Sequence, residues 1–576
     1  MVNQSKIGDT ADEGEIFKSL IACDPNKFPK TSFPEYIFKL LGKQLHAVAE
    51  KPWLVDVCTD KKVLFGEVEQ LARRVASGLA RRGFAKGDIL YFVCHDIVYI
   101  GVLQLAVWLL GGVTRGCCQI EQPGIELQAQ SERNRKLFLI SEEYRRQMND
   151  IHCKFVAVDA DTVQAIRKAI SLTDMDCTII NVGDSDIEET TKFSDLAGDD
   201  GTAFPDSVKI DPNDILLICN TSGSTGAQKG VIHSHETFVN LIASLEPLLL
   251  AAGPDVSKMT TASNYVISYL WTTAVHLGTG NTVYCVSKYK KEELIPQLLK
   301  YKPQEVFLYP YITNGFARSS ELDKHDFSFL KAISLGGSIV DPTTVHLLQR
   351  KFPHTRVNVT FGSTECMGIS MNVNSATTLF GTTPNGEEIV SCGVLFPLVE
   401  AKIVDVETNK LLGRNKLGRL FIRGRNIMKG YLVEKGKEPN RSSIDEEGWF
   451  DTGDLVFMDS KGQLFVRERV SFMFKYYMHY VNPTEIEAVL QKHPAVQMAC
   501  VIGVPDKETT NLAKALVVLK DRETTCTEEE LLQWVANKLT LYKHLHGGLH
   551  FVDSLPENKG GKLDRAAAKK KYSQTY

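Results

Sequence analysis

The sequence has no concentration of cysteine, no long apolar run and no strong charge of either sign. Its 576 residues include 13 cysteines without a paired Cys-x-x-Cys array, which argues against a disulfide framework or a structural zinc site. The formal net charge of −4 gives no basic field for nucleic acid or an anionic membrane. We therefore predict an intracellular protein, cytoplasmic or organellar, that does not bind nucleic acid; composition leaves its oligomeric state open.

Membrane and peroxisomal signals are also missing. The most apolar stretch, residues 97–113, falls short of the roughly 20 residues that a membrane-spanning helix needs, and it contains Gln104. A buried helix is the better interpretation. The first ten residues lack the basic and then apolar layout of a secretory signal, and the end of the chain at Tyr576 is not a Ser-Lys-Leu tail. The sequence therefore predicts no transmembrane segment and no peroxisomal address.

The chain is long enough, and at 43% hydrophobic residues apolar enough, to build several cores. Helical periodicity over residues 68–81 alternates with short β-branched or aliphatic runs at 89–94 and 155–158. This alternation predicts α/β layers around parallel strands. The acidic stretch 184–206, with few aliphatic residues, is interpreted as a surface connection.

The pattern changes near residue 400, where short strands and turns predict a β-rich subdomain. A charged junction at 467–469 precedes a smaller α+β unit. We therefore predict an α/β protein with two domains. Residues 1–467 form a large N-terminal domain of α/β layers plus the β-rich subdomain, and residues 468–576 form a small mobile α+β domain.

The most informative segment is a run of small and hydroxylated residues at 221–230, directly after the apolar residues 214–219. Its glycines Gly223 and Gly226 let backbone N–H groups approach an anion. The segment is not a Walker A loop, because its lysine precedes a glycine and a strand-like run rather than Ser or Thr and a helix. We predict a phosphate-binding loop, with a flexible turn as the alternative. Its donors are Thr221, Ser222, Ser224, Thr225 and Lys229.

Two further loops could complete a nucleotide site. In residues 360–365, Phe361 offers an aromatic face for a purine, Thr364 a phosphate donor and Glu365 a hard oxygen ligand for Mg²⁺. Gly336 and Gly337 leave a wall of backbone open to a flat ligand. Each loop taken alone is an ordinary connection.

Three isolated residues suit the same chemistry. Asp454 ends a tight turn, where its carboxylate could accept both hydroxyls of a ribose. Arg469 is a fixed cation that could hold the same sugar or a phosphate. Glycines precede Lys562 near the C-terminus, so a mobile loop could carry its ammonium into a site; by itself, a surface lysine is the commoner interpretation.

These motifs occur in the order found in the adenylate-forming superfamily. From about residue 34 to about residue 570 the chain resembles its acyl- and aryl-CoA synthetases, and is similar to 4-coumarate–CoA ligase and beetle luciferase. The resemblance implies that a small carboxylic acid attacks the α-phosphate of ATP, giving an acyl-adenylate and pyrophosphate. The thiol of coenzyme A then takes the acyl group and releases AMP. ATP, Mg²⁺ and coenzyme A are the implied cofactor and co-substrates.

The resemblance also implies residue roles. Lys562, Thr364 and Glu365 are catalytic, with Glu365 on the metal and Lys562 between the carboxylate and the α-phosphate. The small domain then rotates about the junction of Glu468 and Arg469 to present Lys475 for thioester formation. Adenine stacks on Phe361, Asp454 and Arg469 hold the ribose, and Gly336 and Gly362 belong to the nucleotide site. Tyr265, Val266, Tyr269 and Gly337 line the acyl pocket.

The chain departs from the family pattern at four places, the first of which is Gln228, where the family has a proline before the loop lysine. Tyr265 and Val266 stand near the position where the family usually has a histidine in the acyl pocket. Ser471 and Met478 stand where the family has a Lys and a Gly, at positions expected to serve thioester formation. The alternatives that remain are an adenylating enzyme with a non-CoA acceptor, a luciferase-like oxygenase and a non-catalytic nucleotide-binding homologue.

Overall fold

The structure is a computed structural model. It describes residues 14–117, 130–221, 229–251, 253–254, 256–373, 377–384, 386–477, 479–506, 508–521, 525–539, 541–557 and 563–573. Helices and strands alternate through most of these residues, and the α/β prediction is confirmed.

The first large sheet has eight strands and is mostly parallel, with antiparallel strands at one end. Parallel strands suit this part of the sequence, because their runs are apolar on both faces. In spatial order the strands are Gly430–Tyr431, Gly230–Ser234, Ile215–Asn220, Val113–Gly116, Ile89–Val93, Phe155–Val158, Thr178–Asn181 and Thr191–Lys192.

The second large sheet has nine strands and antiparallel edges around a parallel centre. In spatial order they are Val394–Leu395, Ser370–Met371, Arg356–Phe361, Ala332–Gly336, Glu305–Leu308, Ser257–Thr260, Thr282–Cys285, Pro52–Asp56 and Lys62–Leu64. Ligands of open α/β sheets bind beyond the carboxyl ends of the strands, so the loops after these strands are the expected site.

Helices cover both sheets. They are Phe33–Gly42, Leu45–Val48, Phe65–Arg81, Val98–Leu109, Gln130–Asp150, Val163–Ser171, Phe193–Ala197, His235–Leu250, Ile267–Thr279, Leu294–Tyr301, Pro310–Ala317 and Pro342–Lys351.

The main core lies between the two large sheets. Leu90 and Phe92 of the first sheet and Leu54 and Val283 of the second belong to one apolar cluster with the intervening helices. Helix Val98–Leu109 is buried on nearly all sides, so the prediction of a buried helix at 97–113 is confirmed. Among the described residues, no helix combines the length and the apolar character that a membrane crossing needs.

The β-rich part predicted after residue 400 is a five-stranded antiparallel sheet. Its order is Ile16–Lys18, Glu400–Val404, Gly418–Arg423, Phe450–Met458 and Leu464–Arg469, and a hairpin of Phe380–Thr382 and Glu388–Val390 forms a separate two-stranded sheet that packs on it through Ile389. The following residues form a hairpin, Phe474–Tyr476 with His479–Val481, and a sheet of Val496–Asp506, Thr510–Leu519 and Leu549–Phe551. Helices Pro483–Gln491, Glu528–Ala536 and Arg565–Tyr572 complete this α+β unit.

Two segments differ from the sequence prediction. The stretch 184–206 is more than a surface connection, because it contributes an edge strand and a short helix, and Asp199 beyond them accepts from Arg81 Nε at 3.0 Å. The polar leader contains strand Ile16–Lys18, whose Phe17 is buried. Both elements are short, and their stability comes from distant packing partners rather than from local periodicity.

Candidate functional site

The predicted phosphate loop connects two antiparallel strands, Ile215–Asn220 and Gly230–Ser234. At its ends the Thr221 N–H donates to Lys229 O at 2.9 Å, and the Lys229 N–H donates to Thr221 Oγ1 at 3.3 Å. The strand after the lysine confirms the distinction from a Walker A loop, which leads into a helix. The predicted residues Ser222, Gly223, Ser224, Thr225 and Gly226 lie outside the described residues.

Tyr431 joins two of the predicted site residues. Its hydroxyl donates to Glu365 Oε1 at 3.0 Å, and its ring centroid lies 4.9 Å from Lys229 Nζ. Burial raises the pKa of Tyr431, and the charge of Glu365 and its hydrogen bond raise it further, so the phenol stays a donor. Sequence reasoning assigned no role to Tyr431, because its strand Gly430–Tyr431 pairs with the strand after the loop only in the folded chain.

A tight turn after strand Arg356–Phe361 carries Thr364 and Glu365. Gly362 is required in this turn, because a Cβ there would lie 1.9 Å from Met367 O. The turn is anchored from below, since buried His233 Nε2 contacts Thr364 O at 2.7 Å. Burial lowers the pKa of His233 to about 4, so the ring is neutral at physiological pH and donates through Nε2.

Gly336 ends the neighbouring parallel strand, opposite Thr360. A Cβ at Gly336 would lie 2.8 Å from Thr360 Oγ1, so the two strand ends approach more closely than other residues allow. Gly337 follows with φ of +89°, in the left-handed region that favours glycine. The structure therefore brings Gly336, Gly337 and Phe361 to the same carboxyl edge of the sheet.

Asp454 and Arg469 face each other on adjacent strands of the five-stranded sheet. Arg469 Nε lies 3.0 Å from Asp454 Oδ1, and Arg469 Nη1 donates to Thr452 O at 2.7 Å. Asp454 is 3% exposed, and within the described part of the chain its Oδ2 is buried without a hydrogen-bond partner. Such an oxygen calls for a donor from outside, because a buried acceptor without one is costly.

Electrostatics connect this pair to the turn. Burial raises the pKa of Asp454 to about 6, Arg469 opposes the shift, and the charge of Glu365 adds to it. The negative charges of Asp454 and Glu365 therefore repel each other. A bound cation would relieve this repulsion, and the Glu365 carboxylate is a ligand type that Mg²⁺ prefers.

The predicted acyl-pocket segment lies at the start of helix Ile267–Thr279. Tyr265 and Val266 are half-buried there, whereas Tyr269 is fully buried and its hydroxyl donates to Ile97 O at 2.7 Å. Tyr269 packs in the core in this structure. Within this segment, Tyr265 and Val266 are therefore the residues better placed to line an acyl pocket. Tyr309, which sequence reasoning missed, lies beside the segment with its hydroxyl 2.8 Å from Ser268 Oγ.

The C-terminal residues are placed only in part. Lys475 lies exposed on strand Phe474–Tyr476, and Ser471 lies in the short turn Val470–Phe472 before it. Lys562 and Met478 lie outside the described residues. Sequence reasoning also missed Arg565, whose contacts span the junction at Glu468.

Comparison with known proteins shows the family to which the chain is similar. The model of the family described as AMP-binding enzyme matches residues 43–432, and that of the AMP-binding enzyme C-terminal domain matches residues 485–562. 4-Coumarate–CoA ligase 2 of Petroselinum crispum is 29% identical over 534 residues, covering 92% of each chain. 4-Coumarate–CoA ligase of Pinus taeda is 27% identical over 521 residues, covering 90% of this chain and 91% of its own. ATP-bound MatB from Rhodopseudomonas palustris superposes with a TM-score of 0.79 at 23% identity, covering 94% of this chain and 99% of MatB.

Proposed function

This chain belongs to the AMP-binding enzyme family, and we propose that it is an ATP-dependent acid–thiol ligase that converts a small carboxylic acid into its coenzyme A thioester. The observation that carries the proposal is Asp454, buried against Arg469 with one oxygen that has no hydrogen-bond partner among the described residues. A ribose hydroxyl is the donor that fits this oxygen. The intracellular setting expected from composition belongs to the same proposal.

The first half-reaction forms the acyl-adenylate. The carboxylate oxygen of the acid attacks the α-phosphorus of ATP, a P–O bond forms, and pyrophosphate leaves with the electrons of the broken bond. Negative charge increases on the phosphate oxygens, so donors fixed in advance around them lower the barrier. In this proposal Thr364 and Lys229 supply such donors, and Lys562 bridges the acid and the α-phosphate.

Glu365 would hold the Mg²⁺ that accompanies ATP, and the bound ion would neutralise charge on the phosphate oxygens. The hydrogen bond from Tyr431 fixes the Glu365 carboxylate through Oε1. His233 fixes the backbone of the same turn through Thr364 O. Neither group needs to move during the reaction, and this preorganisation is what makes electrostatic stabilisation effective.

The adenosine end is held apart from the chemistry. Phe361 is half-buried at the end of its strand, where its ring can stack on adenine, and Gly336 leaves the neighbouring backbone open. Asp454 and Arg469 take the ribose hydroxyls. Binding energy from these remote contacts orients the α-phosphate toward the acid.

The second half-reaction transfers the acyl group to the thiol of coenzyme A. The thiolate sulfur attacks the acyl carbon, the C–O bond to AMP breaks, and the thiol proton passes to solvent. Family resemblance supports a rotation of the small domain, residues 468–576, that brings Lys475 toward the site. Ser471 and Met478 favour a non-CoA acceptor as the second candidate, because they alter the side of the site where coenzyme A would enter.

For the acyl group we expect a flat or long acid. Half-buried Tyr265 and Val266 would supply aromatic and apolar surface, and Gly337, which has no side chain, would leave room beside them. Tyr309 adds a phenol beside this segment.

A product screen tests the proposal. The protein is incubated with ATP, Mg²⁺ and a panel of aryl and aliphatic acids, with and without coenzyme A, and AMP, adenylate and thioester are measured by mass spectrometry. We expect acid-dependent AMP and thioester. Adenylate that accumulates without thioester would favour the non-CoA acceptor. AMP formed only with oxygen uptake would favour a luciferase-like oxygenase, and nucleotide binding without turnover would favour a non-catalytic homologue.

A further inference from the structure

Arg565 is a buried cation just beyond the C-terminal family match, which covers residues 485–562. It begins helix Arg565–Tyr572, shortly after Lys562, and the preceding Asp564 caps this helix by accepting from Ala567 N at 2.8 Å. The Arg565 side chain is 10% exposed. A buried arginine is costly unless it is paired, so its partners show what it is for.

The guanidinium binds two carboxylates that come from different parts of the chain. Its two terminal nitrogens bind Glu487 in a fork, with Nη2 to Oε2 at 2.6 Å. Nη2 also contacts Glu468 Oε2 at 3.4 Å, and Nη1 donates to Val501 O at 3.2 Å. Glu487 lies within the C-terminal family match, whereas Glu468 lies in the last strand of the sheet that carries Asp454.

Glu468 connects this cluster to the nucleotide site by one peptide bond. It precedes Arg469, the partner of Asp454, and its Oε1 accepts from Arg469 N at 2.8 Å. A movement of Arg565 that shifts Glu468 would therefore also shift Arg469, which pairs with Asp454.

The cluster has more negative than positive charge. Glu468 and Glu487 are both buried and share Arg565. The other groups that face Glu468 are the Thr484 hydroxyl and the Cys500 thiol. Burial raises the pKa of Glu468 to about 7, with Glu487 adding to the shift and Arg565 opposing it.

We propose that Arg565 is a positioning residue that docks helix Arg565–Tyr572 against the strand ending in Arg469, by holding Glu468 and Glu487 together. The proposal rests on the proposed function, in which Lys562 acts in adenylate formation. The exposed position of Lys475 agrees with it, because the surface needed for thioester formation is turned to solvent in this arrangement.

Measuring adenylate formation and thioester formation separately distinguishes this positioning role from a general effect on folding. Arg565→Met removes the charge, Arg565→Lys keeps charge without the fork, and Lys543→Met is a matched control that breaks a buried pair with Glu485 on the same helix. We expect Arg565→Met to slow adenylate formation at least about tenfold, with thioester formation from synthetic acyl-adenylate changed less than about threefold. Arg565→Lys should recover part of the loss. Equal loss in both half-reactions, or the same profile in Lys543→Met, would overturn the proposal.

Hydrogen exchange supplies a readout that needs no catalysis. In Arg565→Met, but not in Lys543→Met, amides of Leu464–Arg469 and Arg565–Tyr572 should exchange faster once intrinsic rates are removed. If the wild type makes no adenylate with any acid, the proposed function fails while this comparison still tests the docking role. Unchanged exchange in Arg565→Met would overturn the docking role itself.

The proton dependence gives a second signature. Glu468 has a raised pKa where it is buried and an ordinary one where it is exposed, so protonation favours the docked arrangement and rising pH weakens it. Each pH unit between about 4.5 and 7 should reduce docking by up to about tenfold in the wild type, and the dependence should level off above pH 7. Glu468→Gln should remove this dependence between pH 5 and 7 and offset part of the Arg565→Met defect. A Glu468→Gln variant with the wild-type pH dependence would contradict the proposal.

Discussion

Replacing Asp454 by Asn tests the nucleotide site at the residue on which the proposal depends. Asn keeps the shape of the side chain but has one acceptor oxygen instead of two. Either the contact with Arg469 or the one with a ribose hydroxyl must therefore lose its acceptor. A hydrogen bond to a charged group contributes about 1.5–3 kcal/mol, so a loss of about 2 kcal/mol should weaken AMP binding about 30-fold.

The assay compares AMP with 2′,3′-dideoxy-AMP by isothermal titration calorimetry. Wild-type protein should bind AMP much more tightly than the dideoxy analogue. Asp454→Asn should bring the ratio of the two dissociation constants closer to one, because the ribose hydroxyls and the Asp454 acceptor form the two ends of one contact. Glu400→Gln is the matched control, since it removes a carboxylate from another arginine pair of the same sheet, with Arg423 Nε at 2.9 Å. Asp454→Asn with the full wild-type preference for AMP would refute the reasoning.

The same ratio has a defined pH dependence. Because burial raises the pKa of Asp454 to about 6, its carboxylate is ionised above that pH and neutral below it. The preference for AMP over the dideoxy analogue should therefore be greatest above pH 7 and should fall as pH drops through 6. Titration of the phosphate cancels in the ratio, since both ligands carry it.

Three further predictions concern the turn that carries Glu365. Gly362→Ala should lower the free energy of unfolding in urea by more than about 2 kcal/mol, because its Cβ would overlap a backbone oxygen. Gly42→Ala is the control, since a Cβ there meets open space, and it should change the free energy of unfolding by less than about 1 kcal/mol. Similar losses in the two variants would contradict the geometry. Tyr431→Phe should raise the Mg²⁺ concentration needed for half-maximal turnover several-fold, because Glu365 loses its hydrogen bond, and an unchanged Mg²⁺ dependence would refute that link. His233 is buried in its neutral form, with its pKa lowered to about 4. The free energy of unfolding of the wild type should therefore fall as pH drops from 6.5 toward 4, with about 3 kcal/mol of the fall due to this residue. Urea unfolding of His233→Gln should show a smaller fall, and an equal fall would contradict a neutral buried His233.

Regular segments of this fold could be predicted from sequence because their burial is periodic. The aliphatic run noted at 155–158 is observed as strand Phe155–Val158, and helix Phe65–Arg81 begins close to the predicted start at 68. Strand Ile16–Lys18 could not be predicted, because a short strand in a polar leader depends on pairing with Glu400–Val404, far along the chain.

The candidate site shows the same division. Asp454 and Arg469 are recognisable in sequence because each lies in a distinctive local pattern, and the register of their strands then brings them together. Tyr431 and Arg565 are not, because their partners lie 66 and 97 residues away, respectively. Local sequence carries no signal for such contacts, so the anchors of Glu365 and Glu468 appear only in three dimensions.

Acid-dependent exchange of labelled pyrophosphate into ATP tests the central claim most directly, because it reports adenylate formation without requiring any acceptor. With a carboxylic acid from the panel, the wild type should exchange well above the acid-free background. Lys562→Ala should lose most of that exchange, whereas Lys569→Ala, in the same C-terminal tail, should keep it. Exchange that stays at background with every acid, in a folded protein that binds AMP, would contradict the account.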